Sequence, residues 1–331
     1  MTTRRKMLFA LGAGALSVTD PSLAQVPAKV RRIGFLAERS RSTPSHPDVY
    51  YDAFVQGMRE LGYVEGTNLV VEWRFADGES ERLPGLAAEL VQIKVEVIVS
   101  HGTPGTRALQ RATRTVPIVF AAAGDPVASG FAVSLAQPGG NITGLSLMAP
   151  DLSPKQLELL KTMVPTLSRV AVLVNAGNPG NAASLESLQG AARQIGIAAL
   201  PVNARTAQDI ERGFTIMTRE RADAGLSLAD PFFTGQRRQI VELANKHRLP
   251  MMYAQREYVE AGGMMSYGPN FADLYRRAAT YVDKILKGVR PDELPFEQPT
   301  RFHLAINRKT ATALGHKIPQ ELMLRADEVI E

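Results

Sequence analysis

Short apolar runs alternate with segments of helical periodicity along most of the chain. Such alternation is typical of parallel sheets covered by helices and predicts the α/β class. The predicted strands span residues 33–37, 69–75, 95–100, 116–120, 142–147, 170–175, 199–203, 225–228, 251–253, 264–267 and 301–306. The clearest helices are predicted over 49–61, ending at Gly62, and over 271–286, where apolar residues recur on one face.

The number of strand and helix pairs predicts two similar lobes. About four pairs precede Asp125 and about four follow Gly144, which indicates two doubly wound, Rossmann-like halves. The late helix and last strand then require three hinge crossings, expected near Gly144, near Met265 and at 297–300. The first lobe is therefore predicted to comprise 28–144 plus 266–297, and the second 145–265 plus 298–331.

The first residues have the pattern of an export signal. Arg4, Arg5 and Lys6 precede an apolar run over 7–16, and small residues at 22–24 suit cleavage. We therefore predict a signal peptide over 1–24 and a periplasmic mature protein, by either the Sec or the twin-arginine route. The run is shorter than the ~20 residues that span a bilayer, which disfavours a permanent anchor.

Composition removes several classes of function. The chain has no cysteine, which excludes disulfides, thiolate metal sites and an N-terminal lipidated cysteine. Loss of residues 1–24 lowers the formal net charge from +5 to +3, too mild a charge to indicate nucleic acid binding. The histidines, at 46, 101, 247, 303 and 316, are too scattered to predict a metal site.

Catalytic motifs are also missing from the sequence. It contains no Gly-x-Ser-x-Gly, His-Glu-x-x-His or Ser-x-x-Lys pattern. We therefore predict a binding protein with no cofactor, not an enzyme. Two alternatives stay open: a periplasmic ligand-sensing domain for a membrane receptor, and a cofactor-free enzyme using Asp125 or Glu257 as base.

Several segments together resemble one family. They are Phe54 to Tyr63, Glu65 to Asn68, Gly102 to Pro104, Gly124 to Pro126, Pro138 to Asn141, Arg256 to Gly263, Met265 to Gly268 and the tail from Ile318 to Glu328. In this order they resemble the ABC transporter substrate-binding proteins of the tryptophan and tyrosine transport type. The resemblance implies a monomeric type I periplasmic binding protein that holds an amino acid or a small, aromatic carboxylate between its lobes and delivers it to an ABC permease.

In the first lobe, candidate ligand contacts follow two strands. Ser100, His101, Gly102 and Thr103 lead into a helix expected near Pro104, whose free amides suit a carboxylate. Thr103 is equally suited to cap that helix, and Gly102 to make the turn. Asp125 either accepts from a ligand amine or stabilises its own turn. The charged loop from Glu38 to Ser42 is expected to be mainly solvated, although Arg39 is a possible contact.

In the second lobe, Asn175, Asp230 and Phe232 occupy the equivalent strand ends. Each has a structural alternative as a turn, cap or core residue.

The candidates with the strongest sequence signal come near the second crossing. Tyr253 ends a buried strand, and Arg256 and Glu257 follow it. Arg256 is suited to bind a carboxylate through two hydrogen bonds. The alternative for Arg256 is a salt bridge to Glu257 or another acid. Tyr267 is expected either to close the cleft or to pack in the hinge.

Overall fold

The computed structural model describes residues 29–40 and 48–331. The predicted signal peptide lies outside these residues, as do Arg41, Ser42 and His46. The first sheet has the order β2-β1-β3-β4-β5, and all of its strand pairs are parallel. Its elements are β1 (Arg31–Ala37), α1 (Val49–Glu60), β2 (Leu69–Phe75), α2 (Leu83–Gln92), β3 (Ile98–Ser100), α3 (Gly102–Ala112), β4 (Ile118–Ala123) and β5 (Ile142–Ser146).

The second sheet has the order β12-β11-β10-β9-β8-β6-β7, with only β10 and β11 antiparallel. Its strands are β6 (Arg169–Val174), β7 (Ala198–Asn203), β8 (Ala224–Ser227), β9 (Met251–Tyr253), β10 (Met265–Gly268), β11 (His303–Asn307) and β12 (Glu328–Ile330). The remaining helices are α4 (Ala149–Met163), α5 (Gly180–Gln194), α6 (Ala207–Arg219), α7 (Pro231–Gly235), α8 (Arg237–Lys246), α9 (Arg256–Glu260), α10 (Phe271–Leu286), α11 (Arg308–Ala313) and α12 (Gln320–Arg325). The α/β fold with two lobes is as predicted.

The chain returns to the first lobe through α10. This helix packs against α1, and its buried face, which includes Tyr275 and Val282, belongs to the same apolar core as Phe35 and Phe54. Glu297 then bridges to β5 before the chain enters β11. Passages between the sheets therefore follow β5, β10 and Glu297.

The second passage lies after Gly268, slightly beyond the predicted position at Met265. Residues 265–268 pair with β11, and Met265 and Ser266 pair with β9, so β10 is part of the second sheet. Within the described part of the chain, none of the helices combines the length and apolarity needed to cross a membrane.

Candidate functional site

A cavity of about 30 Å³ lies between the lobes, beyond the carboxyl ends of parallel strands. This is the usual place for a ligand in open α/β sheets. Residues of both lobes and of the first passage line it: His101, Gly102, Thr103, Ala122, Gly124, Leu147, Ala149, Asn178, Gly180, Asn181, Ala229, Asp230, Pro231, Thr234, Gln255 and Phe271. The volume is close to that of one water molecule, so the two lobes lie almost in contact here.

Three long helices begin at this cavity. The first residues of α3, α4 and α5 (Gly102, Ala149 and Gly180) all line it. The side chains at the three N-cap positions make no capping hydrogen bond. In α5, however, Asn178 Oδ1 accepts from the amide of Gly180 at 2.9 Å. In α3, the amides of Gly102 and Thr103 have no partner among the described residues. Because helix N-termini carry partial positive charge, the cavity favours an anionic group.

The second lobe adds a buried carboxyl group to the same cavity. Asp230 is 4% exposed and caps α7, accepting from the amide of Phe232 at 2.9 Å. The amide group of Asn178 donates to Oδ2 at 2.7 Å, and that of Asn175 lies 3.3 Å from both oxygens. Burial nevertheless raises the pKa of Asp230 above its ordinary value. A cationic group beside Asp230 would offset this destabilisation of the carboxylate.

The first lobe contributes an imidazole. His101 is 3% exposed, and its Nδ1 is hydrogen-bonded to the hydroxyl of Tyr275 from α10. Its Nε2 has no hydrogen-bond partner within the described residues. Burial lowers the pKa of His101 well below its ordinary value, with a smaller effect from the charge of Arg39. The ring is therefore neutral at physiological pH.

The first loop is buried, which corrects the expectation that it is solvated. Glu38 is fully buried and accepts from Ser80 Oγ at 2.5 Å. Burial, and next the charge of Asp230 across the cleft, raise the pKa of Glu38 to about 8.

Arg39 is only 5% exposed because it pairs with Asp48 at 2.7 Å and lies over the rings of Tyr50 and Tyr51 at 4.9 and 5.0 Å. An ion pair and two aromatic faces thus replace the water that the arginine would otherwise need.

Comparison with known proteins places the chain in a family. The profile of a family described as ABC transporter substrate binding protein matches residues 42–330. The chain belongs to this family. Its members are substrate-binding proteins and not enzymes, which confirms the prediction of a solute-binding receptor.

Similar proteins span nearly the whole fold. The tyrosine-binding protein of Clostridioides difficile (strain R20291) is 24% identical over 272 residues, which cover 81% of this chain and 78% of that protein. A conserved domain protein from Vibrio cholerae superposes with a TM-score of 0.84 at 29% identity, covering 91% of this chain and 100% of that one. The ABC domain in complex with L-Trp from Streptococcus pneumonia superposes with a TM-score of 0.83 at 26% identity, covering 91% of this chain and 99% of that one.

Five of the predicted contacts of this substrate-binding protein lie at or directly behind the cavity. His101, Gly102, Thr103 and Asp230 line it, and Asn175 holds Asp230. Ser100 lies one step deeper, hydrogen-bonded through its hydroxyl to Thr106 Oγ1 at 2.6 Å. Thr103 is not the N-cap, because the helix begins at Gly102, two residues before Pro104, and His101 is therefore the N-cap.

Other predicted contacts lie outside the lining of this cavity. Asp125 accepts from the amides of residues 127 and 128, both at 2.9 Å, as its structural alternative proposed. Phe232 and Tyr253 belong to the apolar core of the second lobe. The ring of half-buried Tyr267 lies 6.0 Å from that of Phe302. None of these residues lines the cavity.

Arg256, which had one of the strongest sequence signals, faces away from the cavity. Its side chain is 53% exposed and pairs with Glu260 at 2.9 Å and Glu328 at 3.1 Å. The structural alternative of a salt bridge therefore describes it, with other acids than Glu257. Glu257 instead faces Tyr50 of the first lobe, and burial raises the pKa of its carboxyl.

Sequence reasoning did not select several lining residues. They are Asn178, Gly180, Asn181, Thr234, Gln255 and Phe271. The polar run after β6 gave a signal for the asparagines, since it follows a buried strand and precedes a helix. Phe271 looked only like the first apolar residue of an amphipathic helix.

Proposed function

We propose that this substrate-binding protein is the periplasmic receptor of an ABC importer and binds an amino acid with an aromatic side chain between its lobes. The observation that carries the proposal is the pairing of opposite charges in one cavity. Positive helix ends come from both sides of it, and the buried carboxyl of Asp230 lies among them.

A zwitterion matches both halves of this arrangement. A ligand carboxylate fits the free amides of Gly102 and Thr103 at the start of α3. A ligand ammonium fits Asp230, whose charged form burial disfavours. Glu38 adds a second carboxyl close enough to Asp230 to interact with it.

The aromatic part of the proposal has two supports. Phe271 and Leu147 give the cavity an apolar side, against which a ring can pack. The chain is similar to a protein named for tyrosine binding and to a domain crystallised with L-Trp.

Binding requires the lobes to separate and close again. The cavity holds about 30 Å³, whereas sites for small molecules usually hold ~300–1,000 Å³. A solute therefore enters when the lobes are further apart, and the three passages after β5, β10 and Glu297 are the natural hinge. Export through residues 1–24 and delivery to a permease complete the proposal, since family members serve ABC transporters.

Calorimetric titration with matched ligands tests the proposal. L-Tryptophan, L-tyrosine and L-phenylalanine are compared with tryptamine, which lacks the carboxylate, and indole-3-propionate, which lacks the amine. We expect at least one amino acid to bind and each truncated analogue of L-tryptophan to bind about 10-fold more weakly or worse, because one charged hydrogen-bonding end is lost. Mass spectrometry should recover the ligand unchanged. Absence of binding by all three amino acids, or equal binding of the analogues, would contradict the proposal.

A further inference from the structure

His101 and Tyr275 form a buried pair inside the first lobe. His101 follows β3, while Tyr275 lies on α10, which the chain adds to that lobe 174 residues later. Tyr275 is fully buried and His101 is 3% exposed. Because α10 packs within the core of the first lobe, the pair does not depend on how the lobes are placed.

The direction of the hydrogen bond follows from the partners that are present. The hydroxyl of Tyr275 contacts His101 Nδ1 and has no other partner within the described part of the chain. If Nδ1–H donated to it, the hydroxyl hydrogen would remain buried without an acceptor, which is unfavourable. The Nε2 lone pair would then also lack a donor, so two groups of the pair would remain unsatisfied. If the hydroxyl donates to Nδ1, only the Nε2–H remains unsatisfied. Nδ1 is then the acceptor, and the single proton of a neutral ring resides on Nε2.

Nε2 is the polar atom of His101 that remains without a partner in the described residues, and His101 lines the cavity. We infer that Tyr275 is a positioning residue, which holds His101 as a neutral N–H donor towards the cavity, so that the ligand must present a hydrogen-bond acceptor there. We assign the acceptor on the basis of the proposed function: it is the ligand carboxylate that also accepts from the amides of α3.

This arrangement links ligand choice to closure. In the closed protein without ligand, the Nε2–H is buried and unsatisfied, which opposes closure. A ligand carboxylate beside Nε2 accepts its hydrogen and removes this cost. A ligand amine beside Nε2 leaves the hydrogen unsatisfied and adds a second donor. His101 thereby discriminates against ligands that place a cation or an apolar group at the start of α3.

Nitrogen-15 NMR of the full mature protein tests the tautomer directly. The H101Q variant (His101→Gln) identifies the His101 signals by their loss. H247Q is the matched control, because His247 Nδ1 also contacts a hydroxyl, Thr218 Oγ1 at 2.9 Å, in the second lobe. We expect His101 Nδ1 to be unprotonated and Nε2 protonated, with or without ligand. A proton on Nδ1 would overturn the inference whatever the protein binds.

Ligand binding supplies the second readout. Addition of L-tryptophan should shift the Nε2 proton of His101 downfield and leave the signals of His247 in place. In the Y275F variant (Tyr275→Phe), both tautomers of His101 should be populated. Its affinity for L-tryptophan should fall by about 2- to 10-fold, the range expected for one hydrogen bond. The H247Q variant should keep wild-type affinity. An unshifted Nε2 proton in the complex would refute the acceptor. Failure of every amino acid to bind would instead refute the proposed ligand and leave the tautomer result to be judged alone.

Discussion

Asp230 combines opposing influences on one carboxyl group. Burial favours its neutral form, whereas the amides of Asn175, Asn178 and Phe232 stabilise its charged form, and burial has the larger effect. The local hydrogen bonds therefore do not fully stabilise the carboxylate, and a neighbouring positive charge would stabilise it further. In the proposed complex, the ligand ammonium supplies that charge.

Replacement of Asp230 by asparagine removes the charge of this side chain but keeps its shape, so it tests the charge alone. D230N retains an oxygen for the Phe232 amide, so α7 keeps its cap. We expect L-tryptophan to bind at least about 10-fold more weakly, because a charged hydrogen bond is lost, and indole-3-propionate to bind no worse than before. Calorimetric titration measures both ligands. D209N is the control, since Asp209 also accepts helix amides but lies on the surface of the second lobe. Equal losses for both ligands would show that Asp230 does not meet the amine.

Glu38 predicts a pH dependence of stability. Its pKa rises from an ordinary 4.5 to about 8 in the folded protein, so the folded state holds the proton more tightly than the unfolded state. The stabilisation by neutral Glu38 is complete below about 4.5 and is lost as pH rises through about 8.

The E38Q variant should therefore become more stable relative to the wild type as the pH rises. Glutamine stays neutral, so its melting temperature should exceed that of the wild type by at least about 2 °C at pH 9, roughly the effect of 1 kcal/mol. The difference should shrink towards pH 5. Thermal denaturation followed by circular dichroism measures both proteins across this range, with E79Q, a change at an exposed neighbouring acid, as control. Parallel curves for E38Q and wild type would rule out a buried neutral Glu38.

At the scale of elements, the start of α3 is shaped by contact with the other lobe. Gly102 has φ +77°, and a Cβ at this position would collide with Cγ of Pro231. A Cβ at Gly180, the first residue of α5, would lie 2.5 Å from Thr103 Oγ1. These positions let two helix N-termini approach one cavity from opposite lobes.

A methyl group at Gly102 should therefore hinder closure. In G102A, each lobe keeps its core, but the new Cβ meets Pro231, and the positive φ adds strain of about 1–2 kcal/mol. We expect L-tryptophan to bind about 10-fold or more weakly by calorimetric titration. G105A lies in the same helix and would place its Cβ no nearer than 3.9 Å from its neighbours, so it should bind as the wild type. Wild-type affinity in G102A would mean that the lobes do not close at this contact.

Sequence patterns predicted the long elements better than the short ones. The bounds of α10 and β2 were predicted as observed, because Phe271–Leu286 and Leu69–Phe75 repeat their apolar positions long enough to define a period. The strand β12 was missed, since its three residues are only half-buried. For Arg256 the sequence left both roles open, because a strand pattern does not indicate which way the next helical turn faces.

The candidate site was predictable only in part for a related reason. His101 and Asp230 follow buried strands, which the local sequence reveals. The contacts that give them their properties are remote: Tyr275 is 174 residues from His101, and Asn175 is 55 residues from Asp230. The raised pKa of Glu38 depends in part on the charge of Asp230, a residue of the other lobe, which no local pattern encodes.

At the scale of the whole molecule, one direct link between the lobes is weak. Arg205 and Glu81 form an ion pair at 3.6 Å, but their side chains are 56% and 78% exposed. Exposed pairs of this kind stabilise by less than ~1 kcal/mol. At the cavity itself, Asp230 and the Nε2–H of His101 are both buried in the closed protein, and without ligand both oppose closure.

We therefore expect the free protein in solution to populate a more open form than the one described, and the ligand to close it. Small-angle X-ray scattering should show a smaller radius of gyration with saturating L-tryptophan, and G102A should contract less. The melting temperature should rise with ligand concentration, since ligand at 100 times its Kd adds about 2.7 kcal/mol. E81A, which removes the exposed cross-lobe pair, should contract like the wild type. Identical scattering with and without a bound ligand would mean that the lobes are held together by contacts other than the solute.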